Sequence, residues 1–246
     1  MNIAARFPIP ASEGLFFRLA GREVAARPSG ALWVPELGLM AVADLHLGKA
    51  ERMARRGGAL LPPYECAETL ARLEAEIAAL RPACVVCVGD SFDDDLAARA
   101  LDGEACDRLA ALARGRRWIW VSGNHDPATP CLPGEAVAEH DATHPDASAG
   151  GPLVFRHIAA PGAAPGEVSG HYHPAATLAP HGRRIRRRCF LEDGRRVILP
   201  AFGAFTGGLC ATDAAFNPLL GPGARALLVG SRVIAAPRSA LSGRAG

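Results

Sequence analysis

The sequence predicts a layered α/β fold, and three observations support this class. Short apolar runs alternate with amphipathic stretches along the first half of the chain, in the order β-α-β-α-β, as is typical of layered α/β domains. Cys84–Val88 is a continuous apolar run, which indicates a strand buried on both faces. With 246 residues, the chain is long enough to bury a sizeable core without disulfides or structural metals.

In the first half, apolar runs bounded by Gly and Pro predict strands, and apolar spacings of three and four predict helices. Four strands are expected first, at Leu15–Leu19, Val24–Ala26, Ala31–Val34 and Leu39–Ala43. A helix is expected after Pro62 and Pro63, carrying Leu70, Leu73, Ile77 and Leu80 on one face. Then follow a strand at Cys84–Val88, a helix from about Asp95 to Ala113 and a strand at Trp118–Val121.

The second half begins with a stretch rich in Pro, Gly, His and Asp, from Asp126 to Gly151, which predicts a long loop with at most one short helical turn. Strands are expected afterwards at Leu153–His157 and Glu167–Ser169, as a hairpin of Arg184–Leu191 with Arg195–Leu199, and as a pair of Ala226–Val229 with Arg232–Ala236. We expect a single domain over residues 1–236 and a disordered tail over residues 237–246.

The composition is that of a soluble globular protein, and the formal net charge of +2 provides no general basic field. Cys84 and Cys87 form a C-x-x-C within a strand, where alternation sends them to opposite faces. They are therefore expected to be buried small hydrophobes and not a zinc or redox site. The seven cysteines favour a reducing compartment. Because no secretory signal or membrane span is evident, we expect a cytoplasmic protein.

Short polar clusters follow several of the predicted strands and carry the chemistry. They contain Asp44 and His46, Asp90, Asn124 and His125, and His171 and His173. Residues at i and i+2 of a strand share a face, so Asp44 and His46 are expected to point at the same ion. His171 and His173 repeat this spacing on a later strand. Carboxylate, imidazole and amide oxygen, spread over loops at one edge of a sheet, are the ligands of a two-metal hydrolytic site. Turn chemistry explains one such cluster, but not four in this order.

These motifs read D-x-H, G-D, G-N-H-D, a lone His, and G-H-x-H, and in this the chain resembles the calcineurin-like metallophosphoesterases over roughly residues 40–175. Ala43–Ala50 and Pro200–Leu209 are similar to the bacterial DNA-ligase-associated (PdeM-type) branch. The resemblance implies a metallophosphoesterase fold, with a central β-sandwich flanked by helices and a dinuclear metal site at strand ends.

The resemblance also implies roles for individual residues. One metal would be held by Asp44, His46, Asp90 and His173, and the other by Asp90, Asn124, His157 and His171. Mn²⁺ is the first expectation for both ions, and Fe or Zn are alternatives. His157 stands alone at a strand end and is either a ligand or a structural histidine, but it occupies the position where the family has one His. His140, His144 and His181 are expected to be solvated.

His125 is left as a non-ligand that reaches a phosphate oxygen or protonates the leaving alkoxide, with Asp126 orienting its imidazole. The alternative is that His125 and Asp126 only cap the turn before Pro127.

Further candidates for substrate binding are Lys49, Arg184, Arg186, Arg188, Phe202 and Phe205. The arginines contact a phosphate backbone or only protect an edge hairpin by their charge. The two Phe side chains form a stacking wall beside the site or pack in the interior. Nuclease members often read G-D-x-F-H, whereas Asp93 follows Phe92 here, which argues against strong nuclease activity.

The function expected from this resemblance is a dinuclear metal-dependent phosphodiesterase or endonuclease that acts on nucleic acid in DNA repair. Its expected partners are a DNA ligase and a helicase of the same system. Two alternatives stay open: a phosphatase for a small phosphomonoester, nucleotide or phosphoprotein, and a non-catalytic subunit of a repair complex.

Overall fold

Two packed β-sheets form the centre of the computed structural model, which describes residues 14–58, 61–62, 64–126, 132–143, 150–179 and 183–242. The strands of the first sheet, in spatial order, are β1 (Leu15–Leu19), β2 (Arg22–Ala26), β3 (Leu32–Val34), β4 (Leu39–Ala43), β5 (Cys84–Val88), β6 (Arg117–Val121) and β7 (Glu135–Val137). Those of the second, in chain order, are β8 (Glu139–Ala142), β9 (Leu153–Arg156), β10 (Glu167–Ser169), β11 (Ala175–Leu178), β12 (Ile185–Glu192), β13 (Arg196–Ile198), β14 (Arg225–Leu228) and β15 (Ile234–Pro237).

Four helices accompany the first sheet within the described ranges: α1 (Lys49–Arg55), α2 (Glu65–Leu80), α3 (Asp95–Arg99) and α4 (Gly103–Ala113). Strands β1 to β4 are antiparallel, whereas β4, β5, β6 and β7 run parallel. The chain therefore crosses over between β4, β5 and β6, and the carboxyl ends of these strands meet at one edge. In the second sheet, β9 and β10 are also parallel neighbours.

The main core lies between the two sheets, and the alternation along β5 shows how the sequence builds it. Val86 and Val88 point into the cluster shared with the second sheet, where Phe155 also lies. Val85 and Cys87 point the other way, into the cluster formed with α2 and α4. Full burial of each such aliphatic side chain contributes about 1.5–3 kcal/mol.

The outer face of the second sheet is covered by the C-terminal part of the chain. Phe216 and Leu191 are fully buried there, and Leu241 packs in the same cluster. The tail expected to be disordered from residue 237 is instead ordered as far as Ser242, since Arg238 donates hydrogen bonds to the main-chain oxygens of Ala211 and Asp213. Residues 243–246 lie outside the described residues.

Most predicted elements are present, with four differences, of which the first is that helix α1 was not predicted. The helix expected over residues 95–113 is two helices, because Asp102 caps α4 by accepting a hydrogen bond from the main-chain N–H of Ala105. The expected loop over residues 126–151 contains β7 and β8, which are short strands at sheet edges and carry little apolar signal. Strand β11 was not predicted, and it pairs with the arginine-rich start of β12.

The two cysteines of the C-x-x-C motif lie on opposite faces of β5, as predicted. His140 is not solvated: it lies in β8 and stacks on Phe155. His144 and His181 fall outside the described residues. Among the helices of the described segments, none has the length and apolar character needed to cross a membrane.

Candidate metal centre

The polar motifs meet at one edge of the sandwich because each follows the carboxyl end of a parallel strand. Asp44 follows β4, Asp90 follows β5, and Asn124 comes three residues after β6. From the second sheet, His157 follows β9, and the His171–His173 segment follows β10. The loops are joined by main-chain hydrogen bonds, for example from the N–H of His46 to the oxygen of Asp90 at 2.9 Å.

The first cluster consists of Asp44, His46 and His173, whose potential ligand atoms all lie within 4.8 Å of one another. The two Nε2 atoms of His46 and His173 are 3.3 Å apart. Asp44 Oδ1 lies 3.3 Å from His173 Nε2. Asp44 and His46 are buried, while His173 is half-buried.

The second cluster consists of Asp90, His157 and His171, and Asn124 adjoins it. His157 Nε2 lies 3.3 Å from Asp90 Oδ2, 3.1 Å from His171 Nδ1 and 2.9 Å from Asn124 Oδ1. The clusters are adjacent, because Asp44 Oδ1 is 3.7 Å from His157 Nδ1. Asp44 also accepts hydrogen bonds from the main-chain N–H of His171.

These donor sets fit divalent metal ions. Imidazole nitrogens face each other at 3.1–3.3 Å with carboxylate oxygens beside them, so lone pairs converge at both clusters. Buried anionic oxygens are costly without a cation. Carboxylate, imidazole and amide oxygen are ligands that Mn²⁺, Fe and Zn²⁺ accept. The chain thus presents two candidate sites for divalent metals.

The local backbone differs from the strand geometry that the sequence predicts. Asp44 and His46 have φ values of 54° and 46°, and His171 and His173 have 70° and 46°. Neither pair is on a strand, so their shared direction comes from loops in the left-handed region. Such conformations cost about 1–3 kcal/mol each for residues with a Cβ and concentrate at functional sites. Asp90 shares this property, with a φ of 43°.

Two glycines allow the loops to approach this closely. A Cβ on Gly89, whose φ is +72°, would lie 2.1 Å from Nδ1 of His157. A Cβ on Gly123 would lie 2.2 Å from both the main-chain N and Oδ1 of Asp90. The glycines of the G-D and G-N-H motifs are therefore required by contact with the neighbouring site residues.

The pKa shifts of Asp90 and His171 suit metal ligands, whereas the raised pKa of His157 favours a protonated ring that a metal ion would have to deprotonate. Burial opposes ionisation of Asp90, but the hydrogen bond from His157 and neighbouring charges prevail and lower its pKa to about 2. Burial also opposes protonation of His157, yet its hydrogen bond with Asp90 raises the pKa of His157. Burial and the adjacent His157 lower the pKa of His171, which favours its neutral, ligating form.

His125 lies beside the first cluster, with its ring centroid 5.6 Å from that of His46. The sequence predicts that Asp126 orients the His125 ring, and the structure contradicts this. The Asp126 carboxylate accepts hydrogen bonds from the main-chain N–H groups of Phe92 and Gly123, so it joins two site loops. His125 Nδ1 instead lies 2.9 Å from the main-chain oxygen of Asp93. Because a carbonyl requires a donor there, Nδ1 carries the proton and Nε2 is left for a substrate.

Asp93 is the residue whose role the sequence did not reveal. Its carboxylate is fully buried, lies 2.8 Å from Nδ1 of His46 and accepts from Nε of Arg52. Burial opposes its ionisation, but hydrogen bonds from His46 and Arg52 prevail and lower the pKa of Asp93 to about 2. Asp93 begins a run of three aspartates, Asp93–Asp95, and its contacts with His46 and Arg52 distinguish it from the other two.

The candidate substrate residues separate into three groups. Phe202 is fully buried against α2 and the first sheet, so it is a core residue and not part of a stacking wall. Phe205 is 46% exposed, and its ring centroid lies 6.2 Å from that of the exposed Tyr64. Lys49 and Arg188 are half-buried, and Arg184 and Arg186 are exposed.

A cleft of about 260 Å³ adjoins the first cluster and includes Arg186, Arg188 and His173 in its lining. A larger cleft of about 440 Å³, between Asn217 and Arg238, contains none of the metal-site candidates.

The family model for calcineurin-like phosphoesterases matches residues 38–197, and the chain belongs to this family. It is accordingly a hydrolase that acts on phosphoester bonds. Its structure is similar to that of the nuclease MPE of Pseudomonas putida, with 25% sequence identity and a TM-score of 0.66, covering 91% of this chain and 100% of that one. It is more distantly similar to YfcE, a phosphoesterase from E. coli, with 15% identity and a TM-score of 0.39, covering 70% and 83%. No curated protein sequence matches the chain.

Proposed function

We propose that the protein is a dinuclear, manganese-dependent phosphodiesterase that cleaves nucleic acid as an endonuclease. The observation that carries this proposal is the pair of adjacent clusters, with Asp44, His46 and His173 in one and Asp90, His157 and His171 in the other. Asn124 completes the second, and Asp90 is assigned to both ions. Two bound divalent ions supply Lewis acidity toward phosphoryl oxygens and lower the pKa of water.

His125 is the residue proposed to assist departure of the alkoxide. Its Nδ1–H is held by the Asp93 carbonyl, which leaves Nε2 for the leaving oxygen. When the ring is protonated on both nitrogens, the proton on Nε2 is the one that passes to the departing alkoxide. General acid catalysis of this kind contributes about 10²–10⁴-fold. Asp126 is assigned a supporting role, since it holds the Phe92 and Gly123 loops together.

A diester substrate is favoured over a monoester by the charges around the site. Arg186 and Arg188 line the cleft beside His173, and arginines contact a phosphate backbone without reading bases. The similarity to a protein described as a nuclease supports the same choice. The Asp93 carboxylate is fully buried and paired with Arg52, so it presents no unpaired negative charge to a polyanion.

The second candidate is a phosphatase for a small phosphomonoester. It is favoured by the modest net charge of +2, since a monoester needs no extended basic surface. A non-catalytic role in a repair complex is less well supported, because the structure brings all seven metal-ligand candidates together.

The test compares bis(p-nitrophenyl) phosphate with p-nitrophenyl phosphate, which share one leaving group. Protein stripped with a chelator is assayed after addition of Mn²⁺, Fe²⁺, Zn²⁺ or Co²⁺, with Asp90→Asn as the inactive control. We expect turnover of the diester, highest with Mn²⁺. No turnover with any of the four ions contradicts enzymatic function, and preference for the monoester selects the phosphatase. Cleavage of a covalently closed circular DNA then distinguishes an endonuclease from an exonuclease.

We place the enzyme with a DNA ligase and a helicase in a cytoplasmic repair system. The support is the resemblance of Ala43–Ala50 and Pro200–Leu209 to the ligase-associated branch. Direct binding between the purified chain and the DNA ligase of the same organism tests this placement, and the absence of binding at micromolar concentration argues against a stable complex.

A further inference from the structure

The cleft beside the metal centre is built from the start of β12 and the segment that follows Phe205. Its lining residues are His173, Ala175, Arg186, Arg187, Arg188, Ala201, Thr206, Gly207 and Gly208. His173 belongs to both the cleft and the first metal cluster, and its Nδ1 lies 3.1 Å from the main-chain oxygen of Gly207. A group bound in the cleft therefore lies directly beside the candidate metal site.

Three arginines line this cleft, and within the described ranges none of them forms an ion pair with a carboxylate. Arg186 donates to the main-chain oxygen of Gly208 at 2.8 Å. Arg187 donates to the main-chain oxygen of Arg186, and Arg188 to that of Ala201. The lining contains no acidic residue. By contrast, Arg225 on neighbouring β14 is paired with a glutamate.

The innermost charge is the least solvated. Arg188 is half-buried, and burial together with nearby Arg72 lowers its pKa to about 10, so it stays protonated at neutral pH. Arg72 and Arg188 both donate to the main-chain oxygen of Phe202, which brings two cations together. The nearby Glu68 carboxylate favours the charged form of Arg188 but forms its ion pair with Arg72. Within the described residues Arg188 has no ion pair of its own, which is unfavourable for a partly buried cation, and an anion in the cleft would offset that cost.

We propose that the arginine cleft binds the phosphate next to the one being hydrolysed, so that the enzyme acts on chains of phosphodiesters. This inference rests on the phosphodiesterase function proposed above. The cleft is smaller than the roughly 300–1,000 Å³ of pockets for drug-sized ligands, which suits a single nucleotide unit. The arginines donate hydrogen bonds to main-chain carbonyls around the cleft, which holds their guanidinium groups toward a bound backbone phosphate. Contacts to a backbone phosphate contribute no base selectivity.

The experiment compares a dinucleoside monophosphate, which has only the scissile phosphate, with a trinucleotide that carries two phosphates and no terminal ones. The readout is the ratio of kcat/KM for the trinucleotide to that for the dinucleotide, because effects on the metal centre cancel in it. We expect a ratio above about ten in the wild type. Arg186→Ala and Arg187→Ala should each lower it about tenfold, and Arg186→Lys should retain part of it. The matched control is Arg232→Ala, an exposed arginine outside the cleft.

Two further measurements make the outcome decisive. The slope of log(kcat/KM) against log[salt] for the trinucleotide should become shallower by about 0.7 for each arginine removed. The Kd of a fluorescein-labelled trinucleotide, measured without added metal, tests binding in the cleft even if no diester is cleaved. Failure of the proposed phosphodiesterase function is therefore distinguished from failure of phosphate binding by the cleft. The inference is overturned if the wild type shows no preference for the trinucleotide, or if Arg186→Ala and Arg187→Ala match Arg232→Ala in ratio and Kd.

Discussion

Substitution of Asp93 is the most informative perturbation, because this one residue positions two side chains in different ways. Its carboxylate lies 2.8 Å from Nδ1 of His46, which fixes the ring so that Nε2 faces the first metal cluster. Its main-chain oxygen holds Nδ1 of His125. Asp93→Asn changes only the carboxylate, so the restraint on His125 is retained while the charge behind His46 is lost.

The size of the effect follows from the burial of this contact. Removal of a hydrogen-bonding partner behind a metal-ligating His typically costs 10–100-fold in metal affinity, and the fully buried Asp93 should lie in that range. Asp93→Ala also leaves Arg52 unpaired at 18% exposure. Breaking a buried pair costs about 3–5 kcal/mol, and partial solvation of Arg52 reduces this to about 2–3 kcal/mol. At about 2–4 °C per kcal/mol for a chain of this size, Tm should fall by about 4–12 °C.

The assay is titration of the chelator-stripped protein with Mn²⁺ by isothermal calorimetry, followed by diester hydrolysis at saturating metal. Asp93→Asn should bind Mn²⁺ 10–100-fold more weakly yet recover most of its kcat once saturated, because His125 is still held. The control is Asp94→Asn, since Asp94 caps α3 and pairs with Arg55 without touching a ligand. It should keep the cap, because Asn and Asp are equally good N-cap residues, lose little stability with the partly exposed Arg55 pair, and leave metal affinity unchanged. If Asp93→Asn binds Mn²⁺ within twofold of the wild type, Asp93 does not position His46.

Three further predictions concern the site loops and one buried acid. Gly123→Ala should lose metal and activity, because its Cβ would lie 2.2 Å from Asp90. The control Gly103→Ala, whose Cβ meets nothing within 4 Å, should keep both. Equal metal content of the two variants by elemental analysis would refute the contact argument. His125→Ala should keep its metals and lose about 10²–10⁴-fold in kcat, whereas Asp90→Asn should lose metal as well; release of metal by His125→Ala would make His125 a ligand. Burial raises the pKa of Glu65, so its ionised form destabilises the fold progressively as pH rises above the unfolded value of about 4.3. Thermal melts should therefore show Glu65→Gln gaining stability relative to the wild type between pH 4 and pH 8, and a pH-independent difference would contradict this.

The sequence by itself determined the strands and helices whose apolar pattern is local and strong. Cys84–Val88 is a continuous apolar run, and it is strand β5 with the predicted bounds. The spacing of Leu70, Leu73 and Ile77 predicts α2, and these side chains are buried on it. The motifs also predict where the site forms, because parallel strands bring their carboxyl ends to one edge of a sheet. Residue type and strand direction are both evident in the sequence.

Only the tertiary structure decided which polar groups face each other. The sequence predicts Asp126 as the partner that orients His125, but main-chain donors occupy Asp126 while the Asp93 carbonyl reaches the ring. Phe202 and Phe205 are three residues apart in one Gly-rich segment, yet one is fully buried and the other is 46% exposed. These outcomes depend on loops from distant parts of the chain and on backbone in the left-handed region, for which a single sequence carries no periodic signal. Local periodicity therefore specifies the elements, whereas the pairing of buried charges depends on contacts that form only when both sheets are in place.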